Sequence, residues 1–307
     1  MSGEPTSQDL LEVQAHFGLP SPALVEKDWY VVRALTAIAG LKLAGIRLIF
    51  GGGTALARAH RVIRRMSEDI DLKIVSDNPL NRTALGKLRD QVTQALLDAG
   101  FKFDPNNPEH RKSGNANRYT IFRLPYPAAA AGEGALRPEI QIELGVWPLR
   151  RPHDELSMIS FVAEASGRAP EIAALACVSI TQTAAEKFVA LTRRVALELE
   201  LAEEKRDPTL VRHIYDLHVT RGRYGAGEVA VLAREIMPHD AEVFGNKSAA
   251  YNKDPIAETL RAIEAIATQP YYARQYDEFC RYMVYGDQAA YADCLATLAD
   301  LVERLRV

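Results

Sequence analysis

The chain has 307 residues, 48% of them hydrophobic and 25% charged, with a formal net charge of -3, enough apolar material for two modest cores or one large one. No run of about eighteen apolar residues occurs and Met1 to Asp9 is polar and acidic, which argues against a membrane span and a secretory leader and makes the cytoplasm the expected location. Cys177, Cys280 and Cys294 are odd in number and lack metal-ligand spacing, so buried thiols are expected instead of a disulfide framework or a zinc centre.

Taken in chain order, Glu12 to Phe17 and Ala23 to Ala39 have helical patterning, the second opening after Pro20-Ser21-Pro22 with Ser21 as its cap. Glu26-Lys27-Asp28 near its start fits a solvated face, with Lys27 placed where it could reach a phosphate. Leu48-Ile49-Phe50 is an apolar strand, followed by Gly51, Gly52 and Gly53 and a helix expected from Thr54 to Arg61. Glycines allow a sharp turn that brings N–H groups to an anion, and a helix N-terminus adds partial positive charge there. Ile70, Leu72 and Ile74 alternate with Asp69, Asp71 and Lys73, so both aspartates share one face of a strand. Two adjacent carboxylates invite a divalent cation, and hard oxygen ligands favour magnesium held together with substrate phosphates. Each half also fits an ordinary turn and an exposed strand face; together they suggest a nucleoside triphosphate and a metal.

Asn81 to Gly100 is a further helix, Phe101 to Asp104 opens a strand region, and Arg118 to Leu124 and Arg137 to Leu144 alternate as strands around a Pro125 to Gly134 insert rich in alanine, glycine and proline. Glu139, Gln141 and Glu143 share a face; Glu143 is either a third carboxylate near Asp69 and Asp71 or an ordinary solvent-facing residue. Beyond Pro152 the pattern is mostly helical, with a domain boundary between 165 and 178 that gives residues 1–170 and 171–307. Helices are expected over Thr181 to Glu200, from Asp207-Pro208 to about Thr220, and over Gly227 to Ile236, Asp254 to Thr268 and Asp287 to Arg306. Arg212 and Asp216, four apart, can pair across one turn; with Lys187 they equally describe a surface salt-bridge network. Basic residues cluster at Arg58, His60, Arg61, Arg64 and Arg65, at Arg111, Lys112, Arg118 and Arg123, and at Arg193, Arg194, Lys205, Arg206 and Arg212; gathered, they would form a phosphate-binding face, and dispersed, a solvated surface.

Five segments in order resemble the AbiEii/MenT-type nucleotidyltransferase toxins of the polymerase-beta-like superfamily: Glu26-Lys27-Asp28-Trp29-Tyr30, Phe50 to Leu56, Arg65-x-Ser67-x-Asp69-x-Asp71, Glu186-Lys187-x-x-Ala190-Leu191 and Arg212-x-x-Tyr215-Asp216-Leu217. The resemblance implies an α+β fold, a nucleotidyltransferase domain with a mixed sheet followed by a mainly helical domain that contributes to the active-site cleft. It implies a metal-dependent toxin of a toxin–antitoxin system that transfers nucleotides from an NTP to RNA, with the tRNA 3' acceptor end as target and translation blocked as the outcome. Asp69, Asp71, Lys187 and Asp216 would be catalytic; Gly52, Gly53, Thr54, Arg65 and Ser67 would hold the triphosphate; Asp69, Asp71 and Glu143 would bind Mg2+ or Mn2+. A cognate AbiEi-like antitoxin or a silencing kinase acting on Ser67 is the expected partner. His213 stands where the family often has an acid. A small-molecule nucleotidyltransferase of the aminoglycoside-modifying kind and a non-catalytic nucleotide- or RNA-binding module are the alternatives.

Overall fold

The computed structural model describes residues 3–129, 136–244 and 248–306. Much of the alanine- and glycine-rich insert, residues 130–134, lies outside the described residues. The chain forms two compact units, one comprising residues 1–61 and 66–178 and the other residues 62–65 and 179–307.

The first unit opens with α1 (Ser7–Phe17) and α2 (Pro22–Ala39). α1 starts five residues before the expected Glu12, because Thr6 and Asp9 close a capping box on the polar first turn. Ser21 caps α2 through Ala23 N–H, with Pro22 at the first helical position. Next come β1 (Ile46–Gly51), the single turn α3 (Gly52–Thr54), β2 (Asp69–Ser76) and α4 (Arg82–Asp98), with Asn81 capping the last. The helix expected from Thr54 to Arg61 is instead this one turn followed by a π-helical segment, Ala55–Ala59, with Arg61 two residues beyond it at φ 57°. The remaining elements are β3 (Arg111–Gly114), β4 (Tyr119–Pro125), β5 (Glu139–Gly145), β6 (Asp154–Met158), the short α5 (Phe161–Ala165) and β7 (Ile172–Cys177).

The seven strands make one mixed sheet in the order β3-β4-β5-β2-β1-β7-β6. β2 runs antiparallel to β1 and parallel to β5; β7 joins β1 in parallel. One face carries Ile70, Leu72, Ile74, Phe122, Ile140 and Ile142, all at most 4% exposed, and packs with Val31, Leu35 and Ile38 of α2 and Leu88, Val92 and Leu96 of α4. Period-two alternation therefore puts Asp69, Asp71, Lys73, Glu139, Gln141 and Glu143 on the opposite face.

Two expectations fail here. Phe101 to Asp104 is not a strand: Phe101 and Phe103 are buried core residues in an irregular segment. The stretch after Pro152 is not mostly helical at first, since β6 and β7 complete the sheet before the helices begin. β6 is a polar edge strand and β7 a brief apolar run, neither with a clean alternation to read.

The second unit is helical: α6 (Ile180–Glu198), α7 (Val211–Val219), α8 (Ala226–Phe244), α9 (Ala249–Lys253), α10 (Pro255–Thr268), α11 (Pro270–Met283) and α12 (Tyr291–Arg306). Asp207 accepts from Thr209 N–H and Pro208 opens a 3-10 turn that leads into α7, while Asp254 caps α10. α8 continues past the expected Ile236, through Pro238. Phe188, Leu191, Val195, Ile214, Leu217, Leu232, Ile266 and Leu298 are fully buried and form its core. Residues 62–65 attach to it by an Arg65–Val284 bridge and by Tyr285 N–H donating to Arg64 C=O at 3.0 Å. All three cysteines are free and buried, as expected. No described helix is long and apolar enough to cross a membrane.

Candidate active site

In the first unit the register sets the geometry. Gly51 lies opposite Asp71 across β1 and β2, and Asp71 lies opposite Glu143 across β2 and β5. Gly52 turns the chain at φ +73°, and a Cβ built on it would stand 1.8 Å from Asp71 Oδ2. Only glycine fits this close approach of backbone to carboxylate. Thr54 is 1% exposed. Its hydroxyl donates to Asp69 C=O and lies 3.1 Å from Ser67 Oγ, so it ties α3 to the start of β2 instead of offering a free group to a ligand.

The carboxylates on this face have defined neighbours. Asp69 Oδ1 accepts from an Arg137 guanidinium nitrogen at 2.6 Å. Glu143 accepts from Gln141 Nε2 at 2.8 Å and from the Tyr119 hydroxyl, and burial together with Glu143 raises the Tyr119 phenol above its ordinary value. With Asp69 turned to Arg137 and Glu143 to Gln141, no group of three or more His, Cys, Asp and Glu side chains is gathered as a metal-holding set among the described residues. Asp69, Asp71 and Glu143 are nonetheless hard oxygen donors on two adjacent strands of one face, which is the donor chemistry a magnesium or manganese ion takes.

The Glu26-Lys27-Asp28 triplet is not a solvated face. The three residues are 3%, 0% and 4% exposed, and each holds a different segment. Glu26 accepts from Ala129 N–H at 2.7 Å. Lys27 Nζ donates to the carbonyls of Arg137 (2.6 Å) and Glu139 and pairs with Glu68 at 2.9 Å. Asp28 accepts from Phe161 N–H at 2.7 Å and pairs with Arg58 at 2.8 Å, on the π-helical segment. Lys27 therefore cannot reach a phosphate: its three donors serve the edge of β5 and the residue before Asp69. Burial lowers the Lys27 ammonium below its ordinary value, with Glu68 opposing that effect. Lys27→Met is expected to cost about 3 kcal/mol, because two carbonyls and a mostly buried carboxylate lose their partner; the midpoint of urea unfolding measures it.

In the second unit Arg65, Lys187 and Asp216 come together. Asp216 is fully buried and Arg65 is 3% and Lys187 7% exposed. Arg65 grips Asp216 with two bonds of 2.6 Å, and Lys187 Nζ sits 2.8 Å from Asp216 Oδ2. The surface-network reading is thus excluded, and Asp216 takes cations from outside its own helix in place of the expected one-turn pairing with Arg212. Burial alone would raise the Asp216 carboxyl, but Arg65 and Lys187 hold it well below the usual carboxylate range. Burial and Arg65 push the Lys187 ammonium down, with Asp216 acting against them. His213 is buried nearby, and desolvation with the charges of Lys187 and Arg212 holds its imidazole well below the ordinary histidine value.

Members of the first and third basic clusters are engaged internally: Arg58 with Asp28, Arg65 with Asp216, Arg193 with Asp240 and Arg194 with Asp207. Two participants had not been singled out from the sequence, Glu68 and Arg137. Their signal is positional only, one residue before Asp69 and at the edge of an alternating strand.

Comparison with known proteins gives two findings. The sequence profile of the family described as "Nucleotidyl transferase AbiEii toxin, Type IV TA system" matches residues 33–300. Among solved structures the fold is similar to MenT4, a nucleotidyltransferase toxin from Mycobacterium tuberculosis, with a TM-score of 0.53 and 16% identity over 96% of this chain and 88% of that one. A search of curated proteins by sequence finds no match.

Proposed function

Because the chain belongs to the AbiEii family of nucleotidyltransferase toxins of type IV toxin–antitoxin systems, we propose that it transfers a nucleotide from an NTP to RNA, at the tRNA 3' acceptor end, and so blocks translation. The observation that carries this reading is the seating of Asp71 against Gly52, with Asp69 on the same strand face and Glu143 in register. In the reaction the acceptor hydroxyl oxygen bonds to the α-phosphorus as its proton passes to solvent water, the bond from the α-phosphorus to the oxygen bridging to the β-phosphorus breaks, and pyrophosphate leaves.

Asp69 and Asp71 are the residues that would hold Mg2+ or Mn2+, with Glu143 as the third oxygen donor; bound there, the ion supplies charge neutralisation on the phosphoryl oxygens. Gly52, Gly53 and Ser67 line the turn assigned to the triphosphate. Thr54 acts indirectly, by fixing that turn on the carbonyl of Asp69. Lys187 is assigned the neutralisation of developing phosphate charge. Of two roles open to Asp216, proton acceptor or orienter of Lys187, the depressed pKa supports the second: a carboxylate held ionised by two cations is a poor base. Arg65, expected at the triphosphate, holds the same carboxylate with two bonds and is assigned a positioning role. The antitoxin partner is AbiEi-like, or a kinase that phosphorylates Ser67 and places a phosphate where the triphosphate tail belongs.

The test incubates purified protein with each labelled triphosphate, total tRNA and Mg2+. Label is expected in tRNA with the native protein and to fall by at least about a hundredfold with Asp69→Ala, while the circular dichroism spectrum is unchanged. Label in a small acceptor, or full activity of the variant, would reject the reading.

A further inference from the structure

Arg137 is the one cation bonded directly to a proposed metal ligand among the described contacts of Asp69, and its placement is built by the fold. Its carbonyl is held at 2.6 Å by Lys27, which is fully buried and also holds Glu139 C=O. Lys27 simultaneously grips Glu68 Oε2 at 2.9 Å. One buried ammonium thus fixes both the main chain from which Arg137 projects and the residue preceding Asp69. The guanidinium then lies across the acidic pair, 2.6 Å from Asp69 Oδ1 and 3.6 Å from Glu68 Oε1, with its other arm donating to Gln141 Oε1 at 3.0 Å. The anchor is rigid but the head is not enclosed, since the Arg137 side chain is 42% exposed.

A cation at 2.6 Å from a carboxylate oxygen stands where a divalent ion would need that oxygen. A divalent ion and the guanidinium cannot both take Oδ1, and their charges repel at that range, so an ion that takes Oδ1 displaces the guanidinium. Its main chain stays tethered through Lys27, so the expelled head remains on the open face of the sheet. The anionic group expected on that face is the triphosphate, which a planar guanidinium binds well.

Resting on the proposed nucleotidyltransferase reading, we propose that Arg137 is a two-position residue: the counter-cation of Asp69 before the metal binds, and a ligand of the triphosphate afterwards.

The test uses the full chain and binding readouts alone. Mn2+ affinity is measured by the electron paramagnetic resonance of free Mn2+, and in its presence the affinity for a non-hydrolysable triphosphate analogue by calorimetry. Arg137→Gln is expected to bind Mn2+ about fivefold more tightly, the scale of a partly exposed ion pair, and the analogue about tenfold more weakly, as for a lost charge-assisted contact. Arg137→Lys keeps the charge and is expected to restore most of both. Mn2+ affinity equal to or weaker than native in Arg137→Gln, with Asp69→Asn abolishing Mn2+ binding, overturns the role of Arg137 and leaves the metal site standing. Native protein whose Mn2+ binding is unaffected by Asp69→Asn overturns the site reading and this proposal with it.

Discussion

Replacing Asp216 with Ala is expected to lower the stability of the helical unit by about 3–5 kcal/mol, the cost of breaking a buried ion pair by removing one partner. Arg65 and Lys187 would both be left in an interior where each is less than a tenth exposed, and Arg65 would lose two hydrogen bonds at once. Chemical denaturation with a probe in the second unit measures the loss. Asp216→Asn keeps the shape but removes the charge, so it is expected to be destabilising as well, with most of the penalty retained. The same carboxylate makes a pH prediction whose sign is fixed. Its pKa is depressed in the folded state from an ordinary value of 3.8, so the folded form is favoured by its ionisation. That stabilisation is fully present above about pH 4 and is lost as pH falls further, through the folded value. The native protein should therefore lose stability more steeply below pH 4 than Asp216→Asn does.

The same triad shows where the sequence stops being informative. Asp216 and Arg212 are four apart on a helix, and spacing alone predicts that they pair; only the fold reveals that Arg65, 151 residues away, is the partner. Contacts of that separation leave no local pattern. The Glu26-Lys27-Asp28 triplet misleads for the same reason: three consecutive charges look solvated, yet each finds a partner from a distant segment, as buried charges must. Strands with strict alternation were legible, β2 and β5 above all, because a period of two is visible in a single strand. β6 and β7 were not, since an edge strand with polar faces and a short apolar run carry no period. The opposition of Asp71 and Glu143 needed the parallel pairing of β2 with β5, which alternation in each strand permits but does not specify.

Gly52→Ala is expected to lower nucleotidyl transfer by about a hundredfold or more while leaving both units folded, a loss on the scale of misplacing a catalytic group by about 1 Å. The added methyl would occupy the position of the Asp71 carboxylate, 1.8 Å from Oδ2. The backbone cannot easily relieve the clash, because Gly52 sits at φ +73°, where a Cβ is already disfavoured by about 1 kcal/mol. It is pinned on one side by β1, where Gly51 faces Asp71 in register, and on the other by Thr54, whose hydroxyl holds Asp69 C=O. The carboxylate is the mobile element, so the side chain of Asp71 must rotate away. Stability should fall by only about 1–3 kcal/mol, since the face beneath, Ile70 and Leu72 against the helices, is untouched. The separation of the two effects is the test. Mn2+ binding and labelled-nucleotide transfer should collapse together at an unfolding midpoint close to native. Gly53→Ala serves as the comparison for metal binding, because Gly53 lies in the same turn without a positive φ. Equal losses of Mn2+ binding at the two glycines would mean that the turn matters only as flexible chain; a loss of Mn2+ binding confined to Gly52 ties the metal site to the seat of the Asp71 carboxylate.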